Sequence, residues 1–109
     1  MHVVPSREES WSQGAVLALG LGVPVIGTAV DGLARTMGRG RGILVPPDTP
    51  HALARALSRV LGGQRPGTVL GRAYAGQFTP AAAAAVYARA YRQLLARPAR
   101  SGEPGAPRP

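Results

Sequence analysis

The chain has 109 residues, a formal net charge of +8 at pH 7 and no cysteine. This length predicts one domain with a core of modest stability, and the lack of cysteine excludes disulfides and thiolate metal sites. No apolar run is long enough to cross a membrane, and no secretory signal is visible at the N-terminus. We therefore expect no integral membrane segment and a cytoplasmic location.

The positive charge comes entirely from arginine, and lysine and asparagine are absent. Together with abundant alanine, glycine and proline, this composition is typical of a GC-rich genome, which weakens the inference from positive charge to nucleic-acid binding. The few aromatic residues do not alternate with arginine as a base-stacking surface requires. No nucleic-acid partner is expected, although an arginine-driven binder stays open as a third option that predicts salt-sensitive binding to any duplex.

The first part of the chain predicts short strands that alternate with helices. Residues 3–4 indicate the end of a buried strand. Ser12 is a candidate N-cap for a helix that continues to about Leu21 and is ended by Gly22. Val25–Thr28 is a short, mostly apolar strand of the kind found in parallel sheets.

The middle of the chain continues the strand pattern and then becomes helical. Asp31-Gly32 is a turn signal, residues 33–37 predict one helical turn, and Ile43–Val45 predicts a third strand. Asp48-Thr49-Pro50 starts a helix with a capping side chain and a proline in the first turn, and Gly62-Gly63 ends it. Its apolar face is predicted to consist of four side chains: Leu53, Leu57, Val60 and Leu61.

The last part predicts a short helix over residues 67–78 and a longer one from Thr79-Pro80 to about residue 96, followed by a disordered tail over 98–109. The order of elements predicts an α/β fold, a Rossmann-like fragment with about three short parallel strands, flanking helices and right-handed crossovers. The domain is expected to span residues 1–97. Because the sheet is thin and the chain begins inside a strand, we expect a piece of a longer domain.

The turn between the first strand and the first helix, residues 5–13, carries the clearest functional signal. It combines carboxylates, hydroxyls and the free amides of a helix N-terminus at the end of a strand, where open parallel sheets bind ligands. This combination suits a polyhydroxylated, phosphorylated ligand better than a metal or a nucleic-acid backbone. His2 and His51 have no partners at metal-ligand spacing, so no metal site is predicted.

Several separate blocks carry a family resemblance: PSREESWSQGAVLALGLGVPVIGT, DGL and GRGILVPPDTPHALARAL. They resemble the C-terminal domain of retaining glycosyltransferases of the GT-B fold, the large group called family 4 or glycosyl transferases group 1. The resemblance covers about residues 3–61, and FTPAAAAAVYARAYRQLL resembles the closing helix of that domain. It implies a nucleotide-sugar-binding, Rossmann-like domain.

The resemblance implies roles for individual residues. Glu9 matches the family glutamate that binds donor-sugar hydroxyls, as a carboxylate can. The amides of the following residues are implied to receive the sugar and diphosphate at the helix start, and these residues are Ser10, Trp11, Ser12 and Gln13. Two of them are departures, because Ser10 and Ser12 stand where the family has glycine. Glu8 is an additional candidate contact.

Other departures concern the nucleotide and the loop after the second strand. Leu17 occupies the position of a family glutamate that binds the ribose, which indicates either a subgroup that holds the ribose differently or a degraded site. The family's Gly-Gly loop is replaced by Asp31-Gly32, and a family glutamate downstream is replaced by Arg35. From the residues alone, Glu8 and Glu9 could be ordinary solvated charges on a loop.

Purely structural roles for other residues of this turn also stay open. Trp11 could be a core anchor, and Ser12 and Gln13 could simply cap the helix.

The function implied by the resemblance is transfer of a sugar from a nucleoside-diphosphate sugar to an acceptor, with retention and without a metal or other cofactor. The implied partners are the nucleotide sugar and a missing N-terminal domain, so the chain alone is not expected to catalyse transfer. The alternative is a non-catalytic α/β module that docks on a partner through its last helix.

Overall fold

The computed structural model describes residues 1–97. In chain order its elements are β1 (His2–Val4), α1 (Gln13–Gly20), β2 (Val25–Thr28), α2 (Asp31–Met37), β3 (Ile43–Val45), α3 (Pro50–Leu61), α4 (Thr68–Ala75) and α5 (Pro80–Leu95). The predicted disordered tail, residues 98–109, lies outside the described residues.

The three strands form a parallel sheet in the order β1-β2-β3. Val3 pairs with Ile26 in the first ladder, and Ile26 pairs with Ile43 in the second. Each strand is joined to the next by a helix, as parallel neighbours require. The predicted α/β class with three short parallel strands and flanking helices is therefore confirmed.

Helices cover both faces of the sheet, and two apolar clusters form the core. On one face, α1 and α2 bury six residues: Ala15, Ala18, Leu19, Val25, Leu33 and Met37. On the other face, α3 contributes to a cluster of Ile26, Val45, Ala52 and Ala56. Neighbouring strand residues such as Val25 and Ile26 belong to opposite clusters because successive side chains of a strand point to opposite faces.

Both ends of α1 form as its sequence predicts. The Ser12 hydroxyl accepts a hydrogen bond from the amide of Ala15 at 3.1 Å, which makes Ser12 the N-cap. At the other end, Gly22 adopts a φ of 70°. Its amide bonds the carbonyl of Leu19, and the next amide, that of Val23, bonds the carbonyl of Ala18. This is a Schellman ending, for which glycine is the favoured residue.

Three details of the predicted helices differ from the structure. The turn predicted at Asp31-Gly32 is the beginning of α2, which has two turns rather than one. The predicted capping side chain of α3 is absent: Thr49 is the N-cap but its hydroxyl donates to the carbonyl of Pro47 instead. In the predicted apolar face of α3, Leu53, Leu57 and Val60 pack against the core as predicted, but Leu61 is 75% exposed.

The chain divides into two compact units, residues 1–77 and the segment from Phe78 onward. In the second unit, the Thr79 hydroxyl accepts a hydrogen bond from the amide of Ala82 at 3.1 Å and caps α5 as predicted. The bounds predicted for a single domain over 1–97 stay a prediction. None of the described helices is long and apolar enough to cross a membrane.

Candidate functional site

The loops that follow β1 and β2 are joined by hydrogen bonds at the carboxyl edge of the sheet. The Thr28 hydroxyl, at the end of β2, donates to the carbonyl of Ser6. The amide of Gly32 donates to the carbonyl of Glu9 at 2.8 Å. A Cβ atom at position 32 would overlap the carbonyl groups of Glu9 and Ser10, so this close approach requires glycine.

A cleft of about 830 Å³ lies between these two loops. Its first wall is residues 7–10, from the loop after β1, and its second wall is residues 29–31 together with Arg35, from the loop after β2 and from α2. The volume is within the usual range for small-molecule sites, about 300–1,000 Å³. The position agrees with the rule that open parallel sheets bind ligands beyond the carboxyl ends of their strands.

Glu9 is the best-positioned acceptor in the first wall. Its side chain is half-buried, and its Oε2 atom accepts a hydrogen bond from the Ser6 hydroxyl at 3.3 Å. Its backbone carbonyl is held by Gly32. A carboxylate has about four acceptor positions, so one internal hydrogen bond leaves capacity for ligand hydroxyls. Glu8 also lines the cleft but is exposed.

The residues that follow Ser10 lie at the start of α1 and do not line the cleft. Ser12 is engaged as the N-cap, and Gln13 is the first residue of α1. The first amides of a helix have no acceptor within it, and that of Ala15 is taken by the Ser12 hydroxyl. Trp11 is 41% exposed, so it is not a buried core anchor.

The second wall was not recognised as part of a site from the sequence. In the sequence, Asp31-Gly32 and Arg35 are only departures from the family pattern, whereas the structure places Asp31 and Arg35 in the cleft with Glu9. The signal that could have found them is topological: they follow β2, whose carboxyl end lies beside that of β1 in a parallel sheet.

Comparison with known proteins agrees with this geometry. The family described as glycosyl transferases group 1 matches residues 1–62, which include every residue that lines the cleft. The chain belongs to this family. No curated protein matches the chain.

A solved structure similar to this chain is sucrose-phosphate synthase (tll1590) from Thermosynechococcus elongatus. It has a TM-score of 0.77 and 38% sequence identity, over 86% of this chain and 25% of that chain. The chain thus spans a quarter of the length of its structural neighbour. The match confirms the predicted relationship of the fold to GT-B glycosyltransferases.

Leu17 lies outside the cleft. Leu17, in α1, is 65% exposed and is not among the cleft-lining residues. An aliphatic side chain cannot accept hydrogen bonds from ribose hydroxyls. Leu17 therefore cannot take the ribose-binding role that the family resemblance gives to a glutamate at this position.

A smaller concavity of about 220 Å³ adjoins the cleft and involves the loop after β3. Arg7 connects the two, because its Nε atom pairs with Oδ1 of Asp48 at 3.0 Å. Both side chains are largely exposed, at 84% and 68%. Although three acidic residues line the main cleft, no group of three metal-binding side chains within residues 1–97 is arranged to hold a metal ion.

Proposed function

We propose that this chain is the donor-binding part of a glycosyltransferase that transfers a sugar from a nucleoside-diphosphate sugar to an acceptor with retention of anomeric configuration. The observation that carries this proposal is the placement of Glu9. It lies half-buried in a cleft at the carboxyl edge of the sheet, inside the segment that matches the glycosyl transferases group 1 family.

In this proposal Glu9 accepts hydrogen bonds from hydroxyls of the donor sugar, and the Ser6 hydroxyl keeps its carboxylate in position. Glu8, more exposed on the same wall, contributes a weaker contact. The amides at the start of α1 receive the diphosphate, which the partial positive charge of a helix N-terminus favours. The residues concerned are Ser10, Trp11, Ser12 and Gln13.

The leaving diphosphate needs positive charge and oriented donors in the transition state. The family resemblance assigns the basic pair that supplies this charge, and the acceptor-binding domain, to segments before the matched one. Because the chain covers a quarter of sucrose-phosphate synthase, we propose that it binds donor weakly and does not complete transfer by itself. No cofactor is part of this proposal, and the cytoplasmic location stays a prediction.

The test is isothermal titration of the full chain with uridine- and guanosine-diphosphate sugars. We expect one donor class to bind and Glu9→Gln to weaken it about tenfold or more, because the variant loses a charge-assisted hydrogen bond. Glu8→Gln makes the same charge change on the exposed neighbour and should have a smaller effect. Equal losses in the two variants would contradict the role of Glu9, and turnover by the isolated chain would contradict the proposal that it is incomplete.

The alternative function, a non-catalytic module that docks through α5, is not favoured by the comparisons. The family match covers the segment with the cleft and ends before α5. The apolar side chains of α5 are exposed, among them Tyr87 and Tyr91. No other observation on α5 indicates what would cover them.

A further inference from the structure

Arg35 lines the cleft, and its positive charge is not neutralised by an ion pair within residues 1–97. The cleft is lined by two arginines, and Arg7 is paired with Asp48 at 3.0 Å. The guanidinium of Arg35, in contrast, has no hydrogen bond or ion pair with any of residues 1–97. Arg35 also stands four residues after Asp31 on α2, a spacing at which opposite charges often pair, yet the two do not.

The backbone of Arg35 is fixed although its side chain is free. Arg41 donates through Nη2 to the Arg35 carbonyl and through Nε to the Thr36 carbonyl at 2.6 Å. Arg41 is in turn stacked 4.0 Å from the centre of the Tyr74 ring. The end of α2 is therefore anchored to the protein, and the Arg35 guanidinium projects from a positioned helix.

The position of Arg35 relative to Glu9 is set by Gly32. The Gly32 amide bonds the Glu9 carbonyl at 2.8 Å. Arg35 lies three residues further along α2, which corresponds to about 4.5 Å along the helix axis. The side chains of Glu9 and Arg35 line the same cleft from its two walls, so one ligand in the cleft can face both of them.

A guanidinium presents a planar set of donors that matches the oxygens of a carboxylate or a phosphate. We propose that Arg35 binds an anionic group of the donor next to the hydroxyls bound by Glu9. The shared chemistry is an oxyanion, supplied either by an acidic sugar such as a uronic acid or by the diphosphate itself. This inference rests on the proposed function, which assigns a nucleotide sugar to the cleft.

The first test compares dissociation constants of the full chain for UDP, UDP-glucose and UDP-glucuronate, with GDP-sugars in parallel, in the wild type and in Arg35→Gln. A loss of about tenfold for UDP-glucuronate alone identifies the sugar carboxylate, and an equal loss for all three ligands identifies the diphosphate. Either result supports the proposal. Changes below twofold for every ligand overturn it.

Arg55→Gln is the matched control. The substitution changes the net charge by the same amount as Arg35→Gln, and Arg55 is exposed on α3 and does not line the cleft. If it weakens binding as much as Arg35→Gln does, the effect is one of overall charge and the proposal is overturned. Arg35→Lys keeps the charge but loses the planar donor set, so it should recover only part of the affinity.

The second test separates this inference from the proposed function. The Nε–Hε signal of Arg35, assigned by its loss in Arg35→Gln, is followed by NMR during titration with inorganic pyrophosphate and with the nucleotide sugars. If pyrophosphate shifts it saturably while no nucleotide sugar binds, the anion site stands and the proposed function fails. If a nucleotide sugar binds without moving this signal, the proposed function stands and this inference is overturned. If neither ligand binds, both are overturned.

Discussion

The two walls of the cleft differ in their structure and in how well each can be predicted from the sequence. The first wall is a loop with its polar residues in one continuous run, held by hydrogen bonds to Thr28 and from Ser6 to Glu9. The second wall is the start of a helix, and its charged residues Asp31 and Arg35 are spaced by helical geometry. The two walls meet at one hydrogen bond, from Gly32 to Glu9.

A local sequence motif is sufficient to identify the first wall but not the second. A run of polar residues identifies the first wall because neighbours in sequence are neighbours in the loop. The second wall becomes part of the same site only because two parallel strands end side by side. We therefore expect substitutions at the joint between the walls, the contact of Gly32 with Glu9 and Ser10, to reduce the free energy of unfolding most. Substitutions of contacts within either wall should have smaller effects.

Gly32→Ala attacks the joint and has the largest expected effect. The added Cβ would overlap the backbone carbonyls of Glu9 and Ser10, which cannot move away as a flexible side chain could. We expect a loss of about 3 kcal/mol or more in the free energy of unfolding, measured by urea denaturation. Gly76→Ala is the control, because a Cβ there meets its nearest atoms at 3.6 Å. Equal stability of the two variants would contradict the close approach of the walls.

Thr28→Val tests how the first wall is attached to β2. Thr28 is 6% exposed, and its hydroxyl donates to the carbonyl of Ser6. Valine has a similar shape but no donor, so the variant should lose about 1–2 kcal/mol in the free energy of unfolding. Wild-type stability on urea denaturation would show that this hydrogen bond does not hold the loop.

The same substitution at Thr36, in the helix of the second wall, should act in the opposite direction. The Thr36 hydroxyl is fully buried and has no hydrogen-bond partner within residues 1–97. Threonine and valine have similar helix propensities, so removing the unpaired hydroxyl should stabilise the protein by about 1 kcal/mol. The melting temperature of Thr36→Val should rise, and a fall would mean that the hydroxyl has a role that these contacts do not show.

The pair of Arg7 and Asp48 should have the smallest effect. It joins the first wall to the loop after β3, but both side chains are largely exposed. A double-mutant cycle with Arg7→Gln and Asp48→Asn should give a coupling energy of about 0.5 kcal/mol or less in unfolding experiments. A coupling above about 1.5 kcal/mol would place this pair among the main supports of the cleft.

The strands and helix ends could be predicted because their signals are local. Val25–Thr28 and Ile43–Val45 form strands with the predicted bounds, and Ser12 and Gly22 delimit α1 as expected. The beginning of α2 was misjudged because glycine usually marks a turn. At position 32 glycine instead serves packing against the Glu9 loop, which is a tertiary requirement.

Part of the apolar face of α3 and the second wall depended on information that periodicity does not contain. Periodicity predicted the core contacts of Leu53, Leu57 and Val60 on α3, but not the burial of Ala52 and Ala56 or the exposure of Leu61. Arg35 is an ordinary exposed arginine in sequence and becomes a candidate ligand-binding residue only through its place in the cleft. Of the predicted site residues, Glu8, Glu9 and Ser10 line the cleft, and their role in binding stays a prediction. The second wall was not predicted.

Above all, we propose that the cleft between the two walls binds a nucleotide sugar. The most direct measurement is a ¹⁵N-HSQC titration of the full chain with UDP- and GDP-sugars. We expect saturable shifts of the amides of Glu9, Ser10, Asp31 and Gly32 in the cleft and of Trp11, Ser12 and Gln13 at the start of α1, with smaller shifts in α3. Saturable shifts confined to other parts of the chain, or no shifts with either donor class at millimolar concentration, would contradict it.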